Sequence, residues 1–156
     1  MRFKQRIAGC VLALGLVFPA VSSAFDCPVS VPTMGDPPGT LGSSTSRGWY
    51  GTYALAALIP RDGKWTGMGP GHGYRDKFWW WREGYYARSE PLPDLVVTAE
   101  KLPDASIQTA SSKATNASGG HWDAMLVLLE FPSPGCWRVT GRYQDERLQV
   151  ILKVGD

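Results

Sequence analysis

The sequence predicts an all-β fold: an immunoglobulin-like antiparallel β-sandwich, with a small β-barrel as the alternative architecture. Three observations carry the prediction. Residues 124–154, AMLVLLEFPSPGCWRVTGRYQDERLQVILKV, read as three consecutive strands. About six apolar or alternating runs recur along the chain, parted by Gly, Pro, Asn and Asp. No stretch shows an apolar stripe at helical spacing, so turns rather than helices connect the strands.

Taken in chain order, residues 1–24 read as a cleaved signal peptide. Arg2, Lys4 and Arg6 form a basic start, residues 11–18 an apolar segment too short to span a bilayer, and Ser22-Ser23-Ala24 a small-residue cleavage site. Ile7-Ala8-Gly9-Cys10 resembles a lipid-attachment box but precedes the apolar segment, and Phe25-Asp26 in front of Cys27 is wrong for one. The expectation is a soluble exported protein, periplasmic or secreted, with no stable membrane anchor. The whole chain carries 16 basic and 14 acidic side chains. Cleavage removes three basic ones, leaving 13 against 14 and a net charge of −1. That balance leaves no electrostatic footprint for nucleic acid or an anionic membrane surface.

The expected mature chain keeps two cysteines, Cys27 and Cys136. In an oxidising compartment they form one disulfide, tying the mature N-terminus to the C-terminal strands. Residues 25–48, rich in Pro, Gly, Ser and Thr, cannot bury enough apolar surface to order themselves. They read as an extended arm and surface loop ahead of one domain over 49–156. Residues 49–59, WYGTYALAALI, form a strand closed by Pro60-Arg61-Asp62-Gly63. Four glycines in residues 67–73 make a loop, residues 77–82, KFWWWR, the next strand, and residues 95–102, LVVTAEKL, another. Residues 103–120 read as a long polar loop with room for a short helix at 105–113.

The last three strands are predicted at 125–131, 136–143 and 148–154, as one core-forming sheet. The first is nearly continuous in apolar residues, as for a strand covered on both faces. The second sets Trp137, Val139 and Tyr143 against Arg138, Thr140 and Arg142. The third sets Leu148, Val150, Leu152 and Val154 against Gln149 and Lys153, after the polar turn Gln144-Asp145-Glu146-Arg147.

Five blocks carry a resemblance: CPVSVP…PPG, YALAALIPRDGKW, KFWWWR, LVVTAEKLPD and LLEFPSPGCWRVTGRYQDERLQVILKV. In this order they resemble a family of exported bacterial proteins and lipoproteins, and residues 131–141, FPSPGCWRVTG, are the most specific. The resemblance implies an exported immunoglobulin-like domain and no activity. The missing lipid-attachment box departs from many such relatives.

Two constellations bear chemistry. Trp79, Trp80 and Trp81 are consecutive, so on a strand Trp80 faces one way and Trp79 and Trp81 the other. One face is core; the other is a candidate stacking platform with Tyr85 and Tyr86, framed by Lys77 and Arg82. The competing reading is that all these rings are good strand formers filling a core. His72, His121 and Asp123 are the metal-ligand candidates, set against the bland reading of two surface histidines and a turn aspartate. Glu130, inside an apolar strand, either pairs with a cation such as Arg138 or marks a strand end. No nucleophile elbow, phosphate loop or haem motif occurs, so the sequence points away from an enzyme and calls for no cofactor. The functional expectation is a small exported binding or envelope-associated module, its partner an envelope component, glycan or protein. The alternative is an extracytoplasmic metal-handling protein using His72, His121 and Asp123.

Overall fold

Ten strands, β1 (Arg47–Gly51), β2 (Ala56–Pro60), β3 (Lys64–Trp65), β4 (Tyr74–Trp81), β5 (Val96–Lys101), β6 (Gln108–Ala110), β7 (Thr115–Ser118), β8 (Asp123–Phe131), β9 (Gly135–Tyr143) and β10 (Glu146–Val154), make two five-stranded sheets. The computed structural model describes residues 25–40, 42, 44–69, 71–119 and 122–155, and no helix occurs among them. The signal-peptide segment, 1–24, lies outside the described residues. One sheet has the order β1-β2-β4-β8-β7 and the other β3-β10-β9-β5-β6. Every pairing is antiparallel except the short parallel contact of β3 with β10. The all-β sandwich expected from the alternating runs is therefore the fold.

Several boundaries differ from the sequence expectation, each for a local reason. The strand expected over 49–59 is a hairpin: Gly51, at φ 112°, lets the chain turn, and Thr52 donates its N–H to the Leu55 carbonyl at 3.1 Å. Polar residues 103–120 hold two short strands, β6 and β7, where a loop was expected. Each is the edge of its sheet, paired on one side only, so it needs backbone partners rather than an apolar alternation. The last three strands do not share a sheet. β8 lies in one and β9 and β10 in the other, so Pro132-Ser133-Pro134 carries the chain across the sandwich.

The two sheets face each other through alternate residues. Tyr50, Ile59, Phe78, Trp80, Met125, Val127, Leu129 and Phe131 point inward from the first; Val97, Ala99, Trp137, Val139, Tyr143, Val150 and Leu152 from the second. Trp80 is fully buried and lies against Gly141 of the opposite sheet. A Cβ on Gly141 would overlap the six-membered ring of Trp80, so only glycine leaves room there. Trp137, also fully buried, packs against Phe131 at 5.3 Å and donates its indole N–H to the Ser133 carbonyl at 3.1 Å. Glu130 is exposed on the outer face opposite Arg75. The carboxylate that meets Arg138 is Glu100 instead, at 2.6 Å.

The N-terminal arm closes one side. Cys27 is disulfide-bonded to Cys136 at the start of β9, with 5.4 Å between their Cα atoms. Ser30 then exchanges hydrogen bonds with Ile151 of β10, and Thr33 and Met34 pair with Trp49 of β1. From there the arm crosses the outer face of the first sheet, and the Gly39 carbonyl accepts the N–H of Asp123 at the start of β8. Three strand spacings separate β1 from β8, about 14 Å, and the five steps from Met34 to Gly39 reach up to about 17 Å. The strap turns at Pro38 and Gly39, and Pro37 just before the turn is buried.

Two outcomes test this description. Replacing Cys27 and Cys136 by serine frees a loop of 109 residues in sequence separation. The loss of stability should be at most about 4–5 kcal/mol by the chain-entropy relation, read from denaturant midpoints with and without reductant. Trp137→Ala should cost about 3–5 kcal/mol; a loss under ~1 kcal/mol would show that the ring does not fill the core.

Candidate functional site

The aromatic triplet divides as a strand requires, but neither face is bare. Trp80 belongs to the core between the sheets. Trp79 and Trp81 look outward with Trp49, Ala56 and Leu58, and Met34 of the strap packs onto this second cluster. The register makes a row across the sheet, Trp49 beside Leu58 beside Trp79 beside Leu126. The expectation that nothing covers this face is thus corrected. The Pro-rich arm supplies the cover, ordered by the disulfide at one end and by backbone pairing at the other.

Where the strap ends, a cleft of about 370 Å³ remains open at the end of β4. Trp81, only 5% exposed, and buried Tyr85 form its floor; Tyr86, 66% exposed, and half-buried Trp122 stand at its rim. Pro38 and Gly39 make one wall, and Glu83 and Asp123 supply two carboxylates. Local structure fixes these groups. Gly84 at φ 75° turns the chain after β4, the Glu83 N–H donates to the Tyr53 carbonyl at 2.8 Å, and Trp122 stands edge-on to Trp79 at 5.7 Å.

Lys77 and Arg82 do not frame this cleft. Lys77 is exposed midway along β4, opposite Leu128. Arg82 turns to the end of the sandwich, over the Tyr143 ring at 5.8 Å and hydrogen-bonded to Gln144. Among the described residues the charged groups at the cleft, Glu83 and Asp123, are acidic, contrary to the sequence expectation. Trp122 stands beside Trp79 because the β4–β8 pairing brings the start of β8 to the end of β4.

The metal constellation comes apart in the same register. Tyr74 pairs with Phe131, so His72 lies beyond that end of β4, whereas Asp123 starts β8 at the other end. Eight residue steps along β8 separate Phe131 from Asp123, about 27 Å, so His72 and Asp123 cannot share an ion. His121 lies outside the described residues. Among those described, no group of three or more His, Cys, Asp or Glu side chains is placed to hold a metal.

Behind the cleft, Tyr85 and Tyr143 converge on Glu90. The Tyr85 hydroxyl donates to the Glu90 carbonyl at 3.1 Å, and the Tyr143 hydroxyl to the Glu90 carboxylate. Burial is the main cause raising both phenols, reinforced by the negative field of Glu90; Tyr143 is pushed up to about 12 and Tyr85 higher still. No protein-family model, curated protein or solved structure matches this chain.

The tyrosines give an alkaline signature. A folded-state pKa above the ordinary 10.0 adds stability that is complete below pH 10 and lost as pH rises toward about 12. Melting temperature should therefore fall across that window. Tyr143→Phe should flatten the fall while starting from a lower value at neutral pH.

Proposed function

We propose that this protein is a small exported, envelope-associated binding module that seats a neutral or amino-bearing sugar ring in the cleft at the end of β4. One observation carries the reading: Trp81, Tyr85, Tyr86 and Trp122 gather around one opening together with Glu83 and Asp123, and among the described residues no basic side chain lines it. Aromatic faces stack on the C–H faces of a sugar, because they offer apolar area and a negative quadrupole. Carboxylates at the edge accept hydrogen bonds from hydroxyl or ammonium groups and repel an acidic sugar. The cleft's volume suits a single sugar unit. Export is supported by the signal-like N-terminus and by the Cys27–Cys136 disulfide, which suits an oxidising compartment.

Tryptophan-fluorescence titration with glucose, glucosamine and glucuronate tests the reading. Glucose and glucosamine should bind and glucuronate should not. Tyr86→Ala and Trp122→Ala should each weaken binding about tenfold, the equivalent of ~1.4 kcal/mol, and Tyr86→Ala should leave the melting temperature unchanged. A preference for glucuronate, or unchanged affinity in Tyr86→Ala, would overturn it.

A further inference from the structure

The outer face of the second sheet holds a hollow of about 460 Å³ on the side of the sandwich away from the aromatic cleft. Its lining includes Thr98, Glu100, Arg138, Thr140, Arg142 and Arg147. The register sets these side chains in transverse rows. Glu100 lies beside Arg138, Thr98 beside Thr140 and Gln149, and Val96 beside Arg142 and Arg147. The first row is internally neutral, since Arg138 and Glu100 pair at 2.6 Å. The middle row is hydroxyl-rich, with the Gln149 amide donating to Thr140 Oγ1 at 3.1 Å.

The third row is different. Arg142 and Arg147 stand directly opposite each other on adjacent antiparallel strands. Like charges in that relation are destabilising. Among the described residues neither has an ion-pair partner. The hollow has three guanidinium groups against one carboxylate, and that carboxylate is already engaged. A basic hollow on a domain expected to be slightly acidic is an uncompensated charge cluster, and an oxyanion is its complement. Guanidinium forks bind phosphate bidentately, in a fixed plane. The neighbouring threonine row offers hydroxyls one strand pleat away, where the remainder of a small polar ligand would lie.

We propose that this face is an oxyanion-binding site for a sugar phosphate, with the phosphate held between Arg142 and Arg147 and the sugar hydroxyls over Thr98 and Thr140. This assignment is independent of the aromatic cleft. It rests on charge and register in the opposite sheet.

Isothermal titration of the mature protein with glucose 1-phosphate, inorganic phosphate and glucose is the test. Glucose 1-phosphate should bind most tightly and inorganic phosphate more weakly, and the heat from glucose should be the same in the wild type and in the Arg142→Gln/Arg147→Gln double variant, because glucose alone does not bind at this face. Arg142→Gln and Arg147→Gln should each cut glucose 1-phosphate affinity by about tenfold or more, and added salt should weaken it. Because each substitution also relieves a like-charge pair, the melting temperature without ligand should stay level or rise. Absence of binding at millimolar ligand, or affinity unchanged in the Arg142→Gln/Arg147→Gln double variant, would overturn the site. A fall in melting temperature in both single variants would make the arginines structural and overturn it too. Inorganic phosphate binding as tightly as glucose 1-phosphate would overturn the sugar half of the assignment.

Discussion

The sandwich depends on one close approach, the indole of Trp80 laid against Gly141. Trp80 projects from near the C-terminal end of β4 and Gly141 lies near that of β9, the central strands of their sheets, so this single contact sets the spacing of the two sheets there. The rest of the core is arranged around it. Phe78 stacks next along β4 at 6.3 Å from Trp80, then Trp65 on Phe78 at 4.2 Å, and Phe131 and Trp137 complete the column. The arrangement carries a cost, because the buried Trp80 indole N–H has no hydrogen-bond partner among the described residues, typically a penalty of about 1–3 kcal/mol. Large apolar burial on both sides of the ring offsets it. Any side chain at position 141 would force the sheets apart or turn the indole, and the whole aromatic column would lose its fit.

A second constraint follows from the first. With Trp80 inward, Trp79 and Trp81 must face outward, and the sheet then presents a broad aromatic face to water. The arm resolves this at little entropic cost, because it is held at Cys27, at Ser30, at Thr33 and Met34, and at Gly39. Proline suits such a strap, since its fixed φ reduces the freedom lost on ordering. The strap leaves an opening beside Pro38 and Gly39, and the aromatic cleft lies there. Cover and cleft are two results of one chain path.

The two outer faces consequently have opposite chemistry. The first sheet offers aromatic rings with carboxylates at their edge, and the second offers arginines and threonines in register. Both patterns arise from the period-two alternation of strands whose inward residues are committed to the core. Outward positions are free of packing demands, so their composition can serve binding.

The sequence by itself determined the all-β class, the positions of β4, β5, β8, β9 and β10 to within a few residues, and the pairing of Cys27 with Cys136. Alternation, turn residues and cysteine count are local signals, readable without knowing what lies across the core. It also determined that Trp80 and the Trp79–Trp81 pair face opposite ways, and that Arg138, Thr140 and Arg142 share a face. Tertiary structure alone decided which sheet each strand joined. Strand partners are chosen by long-range pairing, and Pro132–Pro134 reads the same whether the chain turns back or crosses over. It decided that the Pro-rich arm covers the outer tryptophans, because that arm has no apolar pattern of its own and is ordered by what it touches. It separated His72 from Asp123 by the length of a strand, and it brought Arg147 opposite Arg142. Register between strands, rather than the residues within one, fixes which charges meet.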